Sequence, residues 1–229
     1  MPLPGPYTIQ SLMTDPIRRS LPNLLTMLRL VLAAAFFGTL NLYRYPDHNT
    51  LWANIAVIFF VTAAITDAFD GYLARKWNVE SVFGRIMDPF CDKVLVLGAF
   101  IYLAGPRFVV REWVEEGSFH TMATGVYPWM VVIVLARELL VTGFRGEAES
   151  MGVSFASNWV GKAKMILQSI VIPLVIVLTV NFKTGGEDAL NVAARWTCYV
   201  VVYLMIIVTI LSGLPYVSRL RSIDAGKPE

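Results

Sequence analysis

Long apolar runs broken by short polar clusters set the first expectation for this chain. Six stretches are mainly apolar: Leu24–Leu42, Leu51–Tyr72, Asp88–Ala104, Tyr127–Thr142, Ile166–Asn181 and Thr197–Val217. A helix that crosses a bilayer needs about 20 such residues. Barrel strands would be shorter and would alternate apolar with polar positions. The pattern therefore predicts an all-α integral membrane protein with six transmembrane helices. The third and fourth runs are short, so their helices are expected to extend beyond the bilayer core. The first run is full length and no small-residue cleavage site follows it, so it reads as retained. No internal repeat appears at a fixed period.

Around the runs, the expected organisation is simple. Residues 1–20 form an N-terminal cytoplasmic or interfacial segment, with Ile9, Leu12 and Met13 placed to lie on a membrane surface. Residues 21–220 form the transmembrane domain, and 221–229 a polar tail. Ser20 or Asn23 is read as a helix cap, with Pro22 in the first turn. Residues 106–125, which include Trp113, read as a solvated connector.

Composition agrees with the pattern. Of 229 residues, 56% are hydrophobic and 16% charged, and the mean hydropathy is +0.59. A soluble domain carries more charge. The net charge of +2 gives no pull toward nucleic acid. Cys91 and Cys198 fall in apolar runs, which speaks against a disulfide framework. The cations choose an orientation. With the N-terminus inside, the cytoplasmic side receives Arg18, Arg19, Arg29, Arg75, Lys76, Arg85, Lys93, Arg137, Arg145, Lys162, Lys164, Arg219, Arg221 and Lys227. The other side receives only Arg44, Arg107, Arg111, Lys183 and Arg195. Both termini are therefore expected in the cytoplasm, at the inner or cytoplasmic membrane.

The chemistry concentrates between the second and third runs. Asp67, Asp70, Gly71, Ala74 and Arg75 recur at helical spacing and form one stripe. Gly84, Asp88 and Asp92 form a second stripe, and a turn near Trp77–Val82 would bring the two together. Ionised carboxylates in a bilayer cost several kcal/mol, so they mark a functional site by default. Clustered carboxylates need compensating positive charge. Their hard oxygens suit Mg²⁺, Mn²⁺ or Ca²⁺, and neither His48 nor His120 lies near enough in sequence to suggest zinc. Small residues at Gly71, Ala74 and Gly84 would admit a close ligand. Divalent ions held by carboxylates serve phosphate chemistry, so the residues alone point to a phosphoryl-type transfer on a lipid at the cytoplasmic interface.

The spacing D-x2-D-G-x2-A-R-x8-G-x3-D-x3-D, running from Asp67 to Asp92, resembles the signature of the CDP-alcohol phosphatidyltransferases without departure. That resemblance covers most of the chain. It implies six transmembrane helices, a homodimer, two divalent ions (Mg²⁺ or Mn²⁺), and displacement of CMP from a CDP-linked donor by a hydroxyl acceptor. By position, it implies Asp67, Asp70 and Asp88 as metal ligands. Asp92 is implied as the base for the acceptor hydroxyl, also touching the second metal. Gly71, Ala74, Arg75, Ser81 and Gly84 match positions around the cytidine diphosphate, and the segment holding Pro22, Asn23 and Thr26 resembles the family's first-helix stretch beside it. The base role is also physically sensible. An alcohol needs a proton acceptor within hydrogen-bond reach, one helical turn from a metal-ligating carboxylate. Lys93 is read as an interface anchor.

The acceptor end lies in the second half. Arg137 and Glu138 sit inside an apolar run and need partners. Arg137, Arg145, Lys162 and Lys164, with Arg29 as a further candidate, would line a cationic pocket suited to a phosphorylated acceptor. The segments LPNLLTMLRL, ARELLVTGFR and NWVGKAKMILQ resemble those of bacterial phosphatidylglycerophosphate synthases. This implies CDP-diacylglycerol as donor and sn-glycerol 3-phosphate as acceptor. Cardiolipin synthases of the CMP-forming type, which use phosphatidylglycerol, and enzymes using inositol phosphate or serine share the background and remain alternatives. An ion transporter using the aspartates is the alternative of another class. A single motif cluster without an inverted repeat fits transport poorly. A non-catalytic scaffold would have no use for four charges in lipid. Glu147 and Glu149 receive no role.

Overall fold

The computed structural model describes residues 16–77, 82–150, 159–182 and 187–224. Among them the chain is helical, with no strand beyond one isolated bridge between Val109 and Met122. The helices are α1 (Pro16–Leu42), α2 (Leu51–Trp77), α3 (Val82–Leu103), the short α4 (Arg111–Glu115), α5 (Pro128–Ser150), α6 (Trp159–Asn181) and α7 (Ala189–Asp224). Three carry stretches long and apolar enough to cross a membrane: Leu24–Leu42, Ala163–Asn181 and Ala189–Tyr216. Leu51–Asp67 is a shorter apolar stretch.

The helices run past the apolar stretches that predicted them, because an intrahelical hydrogen-bond ladder does not stop where hydropathy does. Thus α2 continues to Trp77, and α7 begins eight residues before Thr197 and reaches Asp224. The start of α1 departs from expectation. It begins at Pro16, so Ser20, Pro22 and Asn23 lie within the helix rather than at its cap. Proline suits a first helical position, where its missing N–H costs nothing. The surface segment expected at Ile9, Leu12 and Met13 lies outside the described residues, as does the end of the tail after Asp224.

Packing follows a buried stripe on each helix. Along α1 it reads Thr26, Arg29, Ala33, Phe36 and Leu40, all buried at helical spacing. α1 packs on α2 and α3, α2 on α6, α6 on α7, and α5 on α7. Small residues make close approaches possible: Ala53, Ala56, Ala63 and Ala99 are fully buried at these contacts. Gly98 shows the tolerance, since a Cβ there would lie 2.4 Å from the Phe37 ring. The outward faces carry Leu24, Val31, Ile58, Ile166, Val200 and Ile207, all exposed. Such an apolar exterior is stable against lipid and costly against water.

Residues 106–125 are the expected solvated connector only in their middle, where 111–119 are largely exposed; their two ends are not. They fold back as a cap in which Phe108, Val110, Met122, Ala123 and Val126 are buried. The Val110 amide donates to the Thr121 carbonyl at 2.9 Å and the Ala123 amide to Phe108 at 2.9 Å. The Thr124 hydroxyl donates to the Leu103 carbonyl at 2.8 Å. Scattered apolar residues between glycines hid this from sequence. Gly125 adopts φ +71° where a Cβ would lie 2.4 Å from Tyr199.

Candidate active site

Asp67 lies sixteen residues into α2 and Asp92 ten residues into α3, so both stand about 24 Å or less along their helices from the relevant ends. One carboxylate of each stripe, Asp67 and Asp92, reaches a common partner. The Arg29 guanidinium of α1 lies between them, with Nη1 2.7 Å from Asp67 Oδ1 and 3.6 Å from Asp92 Oδ1. Arg29 is 1% exposed, while each carboxylate is about one-third exposed (34% and 33%). The carboxylates thus face outward from a buried cation.

They face a cavity of about 680 Å³. Asp67, Asp92 and Lys93 from α2 and α3 line it together with Arg137, Glu138 and Arg145 from α5 and Gly161, Lys164 and Gln168 from α6. Arg29 is not among its lining residues. Within this lining, Glu138 joins two cations. Its Oε1 accepts from Arg137 Nη1 at 2.9 Å and from the Lys164 ammonium. Arg137 is held further by α7, its Nε donating to Ser212 Oγ at 2.9 Å. Lys164, 3% exposed, therefore has the partner that burial demands. Arg145, exposed at the cavity edge, donates to the Tyr216 hydroxyl at 3.2 Å.

Sequence reasoning brought Arg137, Arg145 and Lys164 to one cavity, as the structure does. It saw that Arg137 and Glu138 needed partners without seeing which ones. It gave Lys93 an anchoring role, whereas the Lys93 ammonium donates across to Thr142 Oγ1 on α5 at 2.6 Å. The side chains of Pro22, Asn23, Asp70, Ala74, Arg75, Asp88 and Lys162 lie outside the described part, as does the whole of Ser81; Gly71 and Gly84 are placed on α2 and α3. Thr26 is buried one turn before Arg29. A second cavity, of about 700 Å³, opens at the opposite end between Arg44–Asp47 and Val109–Glu112. It holds none of the candidate residues, so the functional reading rests on the first.

With the geometry in place, comparison with known proteins decides the family. Residues 19–212 match the CDP-alcohol phosphatidyltransferase family. The chain belongs to that family. It is 35% identical over 201 residues to a probable phosphatidylglycerophosphate synthase of Mycobacterium tuberculosis, covering 87% of this chain and 81% of that one. It is 29% identical over 210 residues to a CDP-diacylglycerol–glycerol-3-phosphate 3-phosphatidyltransferase of Bacillus subtilis, covering 87% and 94%. A Rickettsia felis protein of the same name is 28% identical over 200 residues, again covering 87% and 94%. The chain is thus a phosphatidyl-transferring enzyme, and its apolar helices fit an integral membrane protein.

The family is generally dependent on a divalent metal, and the residues can be tested against that need. Among the described residues no group of three His, Cys, Asp or Glu side chains gathers. Asp67 and Asp92 nonetheless converge from two helices on one cationic nitrogen and face the cavity. Oxygen donors already arranged around positive charge fit a hard divalent ion.

Proposed function

We propose that this enzyme transfers the phosphatidyl group of CDP-diacylglycerol to sn-glycerol 3-phosphate, giving phosphatidylglycerophosphate and CMP. The observation that carries the reading is a single cavity lined by the Asp67 and Asp92 carboxylates from α2 and α3 and by Arg137, Arg145 and Lys164 from α5 and α6. The names of the related proteins support the same donor and acceptor. The cavity's charges suit two anionic substrates meeting head to head. The acceptor phosphate takes the basic wall, where arginine offers paired N–H donors. Its primary hydroxyl then points toward Asp92.

In the reaction, the acceptor hydroxyl oxygen bonds to the phosphorus that carries diacylglycerol. The bond from that phosphorus to the CMP oxygen breaks, and CMP leaves with the electron pair. Asp92 accepts the hydroxyl proton. Asp67, Asp70 and Asp88, with Asp92, would hold two divalent ions, Mg²⁺ or Mn²⁺. When bound, these supply charge neutralisation to the diphosphate. Pro22, Asn23, Thr26, Gly71, Ala74, Arg75, Ser81 and Gly84 surround the cytidine diphosphate in this reading. Lys162 joins the basic wall. Arg29 serves the carboxylates rather than the acceptor, on the support of its 2.7 and 3.6 Å contacts.

The proposed setting is a six-span domain over residues 21–220, flanked by the 1–20 segment and the 221–229 tail. Both termini and the cavity mouth lie on the cytoplasmic side of the inner membrane, and the enzyme works as a homodimer. The cation distribution supports that orientation. The test is CMP release from CDP-diacylglycerol by purified protein in Mg²⁺, with each acceptor supplied in turn. Glycerol 3-phosphate should drive release, with phosphatidylglycerophosphate as the lipid product. Release driven only by phosphatidylglycerol, inositol phosphate or serine would overturn the acceptor and keep the transfer chemistry.

A further inference from the structure

Arg29 stands on the buried stripe of α1, between Thr26 and the apolar Ala33, Phe36 and Leu40, and is 1% exposed. A guanidinium shut away from water needs anionic neighbours, and it has Asp67 at 2.7 Å and Asp92 at 3.6 Å. The need is mutual. Carboxylates brought together by α2 and α3 repel one another unless a cation lies between them. These same two carboxylates face the cavity that the proposed function gives to a divalent ion. Two positive groups then address one pair of anions.

We infer that Arg29 is a built-in counter-cation, which holds Asp67 and Asp92 together in the metal-free protein and weakens divalent-ion binding by opposing it. It is a positioning residue, acting through the carboxylates of Asp67 and Asp92. The inference rests on the reading of Asp67 and Asp92 as metal ligands. The direction of the effect follows from charge alone. Removing Arg29 leaves the carboxylates repelling in the metal-free state, which raises that state's energy. It also removes a repulsion felt by the incoming ion. Both changes act in the same sense, so divalent affinity should rise. Lysine keeps the charge as a shorter point source, so Arg29→Lys should fall between the parent and Arg29→Gln.

The experiment uses the full chain in detergent micelles. Free Mn²⁺ is followed by electron paramagnetic resonance to give Kd, and the thermal midpoint is measured in EDTA and in saturating Mn²⁺. Arg29→Gln should bind Mn²⁺ about tenfold or more tightly, as expected for losing a unit charge a few ångströms from the site. It should melt earlier than the parent in EDTA and gain more from Mn²⁺ than the parent gains. A purely structural arginine would lower both midpoints equally and leave Kd alone, which would overturn the inference. Weaker binding in Arg29→Gln would also overturn it. If Arg29→Gln fails to fold even in Mn²⁺, Arg29→Lys decides: binding no tighter than the parent's overturns the inference. Absence of Mn²⁺ binding in the parent would overturn the metal assignment as well, whereas parent binding with unchanged Kd in the variants removes this inference alone.

Discussion

At the end of the bundle that carries Asp67 and Asp92, the helices bury charge. At the end closed by residues 104–127, they bury aromatic and aliphatic side chains. The first end gathers Arg29, Asp67, Asp92, Arg137, Glu138 and Lys164 from five helices. The second packs Phe108 against the Tyr43 ring, with centroids 6.0 Å apart, and stacks His120 on Tyr199 at 4.8 Å. Its polar groups are largely met within the cap, as where Thr124 donates to Leu103. Buried ion pairs offset their desolvation only when geometry is good, and they add little net stability. Apolar packing stabilises without directing chemistry. Under the proposed function, stability falls to the capped end and catalysis to the charged end, and each part of that contrast can be broken.

The largest effect is expected at Asp92. Asp92→Asn should lower turnover by about 10³-fold, in the range attributed to a lost general base, with little change in the thermal midpoint. CMP release and a melting curve on the same sample check this, and normal turnover would remove Asp92 as the base. Next comes Lys164→Ala. It strips Glu138 of one buried partner and leaves Arg137, so a stability loss of about 2 kcal/mol is expected, below the 3–5 typical of a fully orphaned buried charge. The KM for glycerol 3-phosphate should rise as well. A loss of stability with unchanged KM would place Lys164 in the scaffold alone.

The capped end should respond the other way. Phe108→Ala should cost about 3 kcal/mol of stability, as for a large buried aromatic, with both KM values unchanged at a temperature where the variant is folded. Gly125→Ala is expected to cost about 1–2 kcal/mol, because alanine is strained at positive φ and its methyl meets the Tyr199 ring. Denaturation followed by a tertiary-structure probe checks both. A selective KM change in either variant would break the separation between the two ends.

The two ends also differed in how far the sequence disclosed them. The aspartate stripes are legible because the carboxylate spacing repeats with the helix, which puts Asp67 and Asp92 on facing surfaces from sequence alone. The Arg29 contacts were not, since they join residues 38 and 63 positions apart in sequence (29 to 67 and 29 to 92) and no local pattern records such pairing. Glu138 announced a need for partners through its apolar neighbours, but Lys164 lies on another helix. The cap was misread for a different reason. Phe108–Val110 and Met122–Ala123 are apolar pieces only two or three residues long, set among polar residues and glycines, and backbone pairing between Val109 and Met122 brings them together. Helix ends overran the apolar runs because hydropathy marks the part of a helix in lipid, not its length.

The central claim of the proposed function is that two groups of residues lining one cavity divide the work, with Arg145 serving the acceptor and the carboxylates serving the transfer. The most direct measurement is the apparent KM for both substrates in Arg145→Ala. Its side chain is exposed, donates to the Tyr216 hydroxyl and lies over the same ring at 6.0 Å, so the fold should tolerate its loss. The account predicts a KM for glycerol 3-phosphate raised about tenfold, the scale of one lost charge-assisted contact, with the KM for CDP-diacylglycerol unchanged. An equal rise for both substrates, or none for either, would contradict it.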